Sequence, residues 1–353
     1  MGLIHGFMLA LLAGVSVGFC LWSLKWARTW RWENFWLVFA IFALIVVPFA
    51  LAFSVLPHLA SVYSSLSSAE MAGPMVLGLC WGFAQLGVGI AVHRLGFAVA
   101  GAILNGVGAA FGTVMPLILL HRDAIFNKSG VLILIGTAIM LFGVALCGWS
   151  GYRREEESKR QGRGSGFASE QVAMLQEPLT KAQYLLFLAM TVASGVLASL
   201  LSIALAYGGN IIQKVVAQGG RPAWAPFAIW PIALLGGSVV NIAYPAYLLT
   251  KNRTWGNFGR NWTTEIFYPV LAGCLWFGGI ATYSSATSYL GALGISVGFG
   301  LYMTVNIVCG QFAAVITGEW SRMRAVIYRP FAVGIALLVI AVVCIGASNY
   351  VSN

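Results

Sequence analysis

Residues 80–96, CWGFAQLGVGIAVHRLG, and residues 275–291, LWFGGIATYSSATSYLG, share a pattern. In both, a tryptophan stands 14 residues ahead of a Leu-Gly pair: Trp81 before Leu95-Gly96, and Trp276 before Leu290-Gly291. The offset between the copies is 195 residues, and a glycine follows each tryptophan within two positions, at Gly82 and Gly278. A rare residue, a small neighbour and a fixed spacing together read as a duplication. Working outward, each copy sits among long apolar runs. A bilayer core of about 30 Å takes about 20 apolar residues of helix. Runs of that length fall at 3–24, 34–56, 72–92, 96–120 and 130–150, then at 182–207, 225–250, 266–289, 293–317 and 327–349. Residues 266–318 contain no Asp, Glu, Lys, Arg or His, and the Ser288-Tyr289-Leu290-Gly291 turn divides them into two spans. Five is odd, so a second copy of five spans must lie upside down relative to the first. The expected fold is an all-α membrane protein of ten transmembrane helices arranged as two inverted five-helix repeats.

Composition agrees. Apolar residues make up 59% and charged residues 8% of the chain, and the mean hydropathy is +0.86. A soluble domain carries roughly 25% charged residues, so this chain cannot build a water-facing surface. Its 42 glycines suit helices in close contact. The 13 Trp and 12 Tyr suit anchoring at the membrane interface. The net charge of +10 comes from basic residues scattered in short loops, with no basic face or motif for nucleic acid. The six cysteines lie within apolar runs and no CxxC occurs, which argues against a metal site or a disulfide. No cofactor motif is present. The N-terminus enters an apolar run at Leu3 without a positive leader and reads as a retained helix.

The polar stretch from Tyr152 to Lys181 divides the chain into a first repeat (1–152), a linker (153–181) and a second repeat (182–353). Of the 20 Lys and Arg residues, 16 lie in loops at one end of the bundle; the other end holds Arg122, Lys128, Lys214 and Arg221. The rule that positive loops stay inside places the linker in the cytoplasm and both termini outside.

The segments WENFW (32–36), CWGFAQLGVGIAVHRLGFAVAGAI (80–103), GGSVVNIAY (236–244) and GEW (318–320) resemble the L-rhamnose/proton symporter family of the drug/metabolite transporter superfamily. The resemblance covers nearly the whole chain. It implies an inner-membrane importer of L-rhamnose or a related deoxysugar, coupled to protons, with spans one, three, four, six, eight and nine around a central cavity. The family pattern carries an acidic residue near the start of the ninth span; here that segment is Gly294-Ile295-Ser296-Val297. The alternative within the superfamily is a carrier of another solute: an amino acid, a nucleotide sugar or a drug. A nucleotide-sugar carrier needs paired basic residues in its cavity, and a drug exporter a membrane carboxylate.

A sugar site needs amides and hydroxyls for its hydroxyl groups and an aromatic ring for its C–H face. In the spans that the resemblance places around the cavity, the candidates are Gln85, Asn105, Asn210, Gln213, Tyr283, Tyr302 and Asn306. Trp81 and Trp276 are the matched aromatic platforms. Lys214 is a candidate cation at the cavity mouth, able to donate to a sugar oxygen or to pair with Glu70 or Asp123. Asn241 is left out because span seven is expected at the periphery. Proton coupling needs a titratable group, and none lies deep in a span. Glu70, His93 and Asp123 at the span ends are the candidates. Each has a plainer structural role open to it: ring packing at a helix crossing, an amide bond between helices, a helix-end cap. Pro48, Pro116, Pro231 and Pro245 lie within spans as candidate hinges. An enzyme is excluded because the carboxylates outside the linker at the basic end, Glu33, Glu265 and Glu319, are scattered along the chain.

Overall fold

A backbone in lipid must satisfy its own hydrogen bonds, and helices do so within one segment. The computed structural model describes residues 2–95, 97–160, 180–316, 320 and 324–351, excepting the side chains of 25, 88–94, 97–98, 155, 158–160 and 314. Helices account for every regular element among them. In order these are α1 (Gly2–Cys20), α2 (Trp32–Ile41), α3 (Val47–Val55), α4 (Leu59–Ser64), α5 (Ser68–Leu95), α6 (Phe97–Leu120), α7 (Lys128–Arg160) and α8 (Lys181–Ala198). There follow α9 (Leu200–Tyr207), α10 (Gly209–Ala217), α11 (Ile229–Lys251), α12 (Trp262–Glu265), α13 (Phe267–Tyr289), α14 (Gly294–Ile316) and α15 (Ala325–Val351). Nine stretches among the described residues are long and apolar enough to cross a membrane. They coincide with nine of the expected spans; the remaining expected span, 72–92, falls within α5, a helix of 28 residues.

Two of these crossings are composite. Trp32–Val55 runs through α2, a π turn at Phe42–Val46 and α3. The cause is Pro48, which has no N–H to donate to the carbonyl four residues back; the wider turn absorbs the misfit. Lys181–Ala217 runs through α8, α9 and α10 with breaks at Ser199 and Gly208. Pro116 and Pro245 sit inside α6 and α11. The charged stretch after Tyr152 is helical as far as Arg160, with Tyr152 Oη donating to Glu156 one turn on at 2.9 Å. Residues 161–179 of the expected linker lie outside the described residues.

The helices pack in two mixed groups. α1 runs antiparallel along α13: Gly6 faces Tyr289, Ser16 Oγ donates to the Leu275 carbonyl at 2.7 Å, and Ser23 Oγ to the Tyr268 carbonyl at 3.0 Å. α14 packs along α1 as well, at Gly14 and Gly18, and touches α13. In the second group α8 and α9 run antiparallel along α5, with Gly87 against Ser194 and Gly73 against Tyr207. α6 lies beside them, its Gly112 carbonyl accepting from Ser202 at 3.0 Å. α11 crosses α5 in backbone contact at Gly78 and Gly236, and α2 reaches α13 at Gly273. α7 and α15 pair at the flank.

Candidate substrate cavity

Between the two groups lies a cavity of about 460 Å³, within the roughly 300–1,000 Å³ of small-molecule sites. Its walls come from α1, α2, α5, α6, α7, α8, α9, α11, α13 and α14. One wall is aromatic. Trp36 touches Phe39 (ring centroids 5.0 Å apart), Phe39 meets Trp276 edge-on (6.3 Å), and Trp276 meets Trp81 (5.7 Å). Trp81 is buried and lies across Gly237, where any side chain would strike its ring. Trp276 is half-buried. Tyr283, Phe299 and Tyr302 close one end, with Tyr283 and Tyr302 stacked at 5.4 Å.

Sharing the lining with this aromatic surface are amides on α5, α6 and α14: Gln85, Asn105, Asn306 and Gln311. All four are half-buried, and among the described residues their side chains make no hydrogen bond. Free amides beside an exposed ring match what a polyhydroxylated ligand requires. Asn241 also lines the cavity but is engaged. Its Oδ1 accepts from Trp36 Nε1 at 3.3 Å and its Nδ2 donates to the Gly237 carbonyl at 3.0 Å. It therefore fixes the Trp36 ring. Towards the end bearing the Arg- and Trp-rich loops, called the basic end below, the lining includes Gly148, Gly151 and Arg154, whose guanidinium lies 5.1 Å over the Trp320 ring. Among the described residues the lining holds no carboxylate and no histidine.

Of the expected site residues, Trp81, Gln85, Asn105, Trp276, Tyr283, Tyr302 and Asn306 meet in this cavity. Asn210, Gln213 and Lys214 do not. The helix breaks at Gly208, and α10 then buries Ile211 and Val215, leaving Asn210 and Gln213 exposed on its other faces. Lys214 instead pairs with Glu70 at 3.0 Å and donates to the Ser65 carbonyl at 3.2 Å. The backbone N–H of Ser67, then Lys214, then the Ser67 hydroxyl hold the Glu70 carboxyl down to about 2. Its stabilising contribution is therefore present above about pH 4.5 and fades only as pH falls towards about 2. Asp123 is exposed on the turn after α6, and the His93 side chain lies outside the described residues. Trp36, Phe39, Asn241, Gln311 and Arg154 were not expected. The peripheral placement of span seven is corrected: glycines 236 and 237 bring α11 against α5, carrying Asn241 inward.

The structure also exposes a longer repeat than the tryptophans alone. Glu70, Pro74, Gly78 and Trp81 recur as Glu265, Pro269, Gly273 and Trp276, each at the offset of 195.

The profile of the family described as L-rhamnose-proton symport protein matches residues 1–352. The chain is 22% identical to the L-rhamnose-proton symporter of Mannheimia succiniciproducens over 349 residues, 95% of this chain and 96% of that one. It is likewise 22% identical over 349 residues to the symporters so named in Escherichia coli strain 55989 and in Shigella boydii serotype 18, covering 96% of both chains in each pair. With a single profile spanning nearly its full length, this chain belongs to the L-rhamnose-proton symport protein family, a family of transporters and not of enzymes.

Proposed function

We propose that this protein imports L-rhamnose or a related deoxysugar together with protons, by alternating access across an inner membrane. The observation that carries the reading is the cavity: an aromatic wall that includes Trp276 shares the lining with four amides that, among the described residues, make no hydrogen bond. We further propose ten spans in two inverted repeats, with α5 as the tenth. Support comes from the fourfold match between 70–81 and 265–276 on helices of opposite direction. α5 runs parallel to α11 through the contacts Met75–Gly236 and Gly82–Val240. α11 runs antiparallel to α2, through Asn34–Thr254 and Trp36–Asn241. α2 runs parallel to α13, through the contacts of Phe39 and Phe42 with Gly273 that follow Glu265 at Arg28. The basic end faces the cytoplasm by its excess of Lys and Arg, which puts both termini outside. The cavity lining reaches Gly151, Arg154 and Trp320 towards that end and Trp230, Tyr283 and Phe299 towards the other.

Reconstituted into proteoliposomes, the protein should show saturable uptake of radiolabelled L-rhamnose, faster when the outside is acidic. No saturable uptake under either condition overturns the substrate assignment. Among the coupling candidates Glu70 stays ionised at every physiological pH, and Asp123 is exposed away from the cavity. We retain His93 as the coupling candidate, because histidine is the side chain whose unperturbed charge change falls near physiological pH. His93→Gln should keep sugar counterflow while losing the acceleration by an inward proton gradient. Gradient-driven uptake equal to the parent's excludes it.

A further inference from the structure

Glu70 and Glu265 occupy the same place in the two copies, and both reach out of their own repeat. Glu70, in the first turn of α5, binds Lys214 of α10 at 3.0 Å, and that lysine also holds the Ser65 carbonyl. Glu265, at the foot of α13, is buried. Its Oε1 accepts from the backbone N–H groups of Arg28 at 3.0 Å and Thr29 at 2.9 Å, in the loop after α1. Lys214 lies on α10, the last part of the stretch Lys181–Ala217; Arg28 and Thr29 lie in the loop between the first two candidate spans. The glutamates are matched but their partners are not, since at the offset of 195 Lys214 corresponds to Phe19 and Arg28 and Thr29 to Ala223 and Trp224; what the two share is a partner in the other repeat. Capping alone does not explain this. Ser67 and Glu70 do form a capping box, with Ser67 N donating to Glu70 at 2.8 Å and Glu70 N to Ser67 Oγ at 3.3 Å. Neither Lys214 nor the Arg28–Thr29 backbone belongs to the helix being capped.

Each contact also falls inside one of the two mixed helix groups and not across the cavity. Glu70 joins α5 to the extension of α8–α9, and Glu265 joins α13 to the end of α1. We propose that Glu70 and Glu265 are a matched pair of staples, one at each end of the bundle, that remain closed through the transport cycle. Each fastens a helix of one repeat to the other repeat, so the units that rock are the two mixed groups. The proposal rests on the transporter reading above for its motion, but not for the contacts themselves. The two staples differ in chemistry. The first is an ion pair at the surface; the second is a buried carboxylate oxygen held by two backbone donors.

The test has two arms on the full chain. In the first, melting in detergent is followed for Glu70→Lys, Lys214→Glu and the double exchange. Each single change should lower the melting temperature by a few degrees and the exchange should restore it. Glu265→Gln, which keeps an oxygen for Arg28 and Thr29, should melt near the parent, and Glu265→Leu well below it. Additive losses in the exchange, or equal losses for Gln and Leu at 265, overturn the staples without reference to any substrate. In the second arm, a chain with its native cysteines replaced carries Glu70→Cys with Lys214→Cys, or Glu265→Cys with Thr29→Cys. Each pair is bridged by a short bis-thiosulfonate. Bridged protein should keep most of the uptake of the unbridged form. If bridging either pair blocks uptake, that contact opens during the cycle and the proposal fails.

Discussion

Gly78→Ala is expected to abolish the folded state, although it adds a single methyl group. A Cβ at position 78 would lie 1.7 Å from the Ala233 carbonyl oxygen and 2.6 Å from the carbonyl carbon. Both atoms belong to the backbone of α11 and cannot rotate away. Inserting a methyl group into a well-packed core typically costs about 1–3 kcal/mol, where side chains can yield. Here α5 and α11 would have to separate along their length, because Gly236 packs equally closely, its Cβ position 2.0 Å from the Met75 carbonyl oxygen. The loss should exceed that range. It would also remove the bed of Trp81 and shift Asn241, so the cavity would go with the crossing. The comparison is Gly101→Ala on α6, where nothing lies within 4 Å of the added carbon. There alanine is the better helix former by about 1 kcal/mol, and no loss is expected. Size-exclusion chromatography and thermal melting in detergent separate the outcomes. Gly78→Ala protein that is monodisperse and melts like the parent would mean that the α5–α11 crossing is not as close as described.

The sequence made the membrane helices plain because lipid imposes a length and forbids charge. It made the seven cavity residues plain because an amide or ring in an apolar span beside a duplicated tryptophan has few uses. What it hid depends on crossings. Trp36 and Phe39 enter the cavity because α2 lies against α13 at Gly273, and Asn241 because α11 lies against α5 at Gly236. No spacing within α2 or α11 announces that. The misplaced trio Asn210, Gln213 and Lys214 follows from the turn at Gly208, which rotates α10 so that Ile211 and Val215 take the buried face. The extension of α7 to Arg160 was hidden because a charged helix leaving the membrane has the composition of a linker. Glu70 read as a proton-coupling candidate with a helix-end cap as its plainer role, and the cap is what the structure shows. Its second partner, Lys214, lies 144 residues away on α10; the sequence offered Glu70, Asp123 and a sugar oxygen as partners for that lysine, and the fold selects the first.

Trp276→Ala should raise the KM for the transported sugar by about one to two orders of magnitude, with a smaller change in maximal rate. Trp276 is half-buried with Phe39 at its edge and Trp81 beside it, so its ring remains available to a ligand in the cavity. Covering a large apolar side chain contributes about 1.5–3 kcal/mol, and each 1.4 kcal/mol is a factor of about ten in affinity. Trp276→Phe keeps a flat apolar face and should recover most of the loss. Trp81→Ala is a poorer test, because Trp81 is buried against Gly237 and its removal would leave a hole in the packing. Trp255, half-exposed on a turn beside Phe258 and no part of the cavity lining, serves as the control, and its alanine variant should transport normally. The competing role for Trp276 is to fill space between α13 and α2. That role predicts a lower melting temperature with an unchanged KM, the reverse of the platform's signature. Asn105→Ala sharpens the distinction. Asn105 lines the cavity from α6 without a hydrogen-bond partner among the described residues, so its loss should raise KM and leave melting untouched. A variant pair in which Trp276→Ala and Asn105→Ala both change stability alone would place the sugar elsewhere in the bundle.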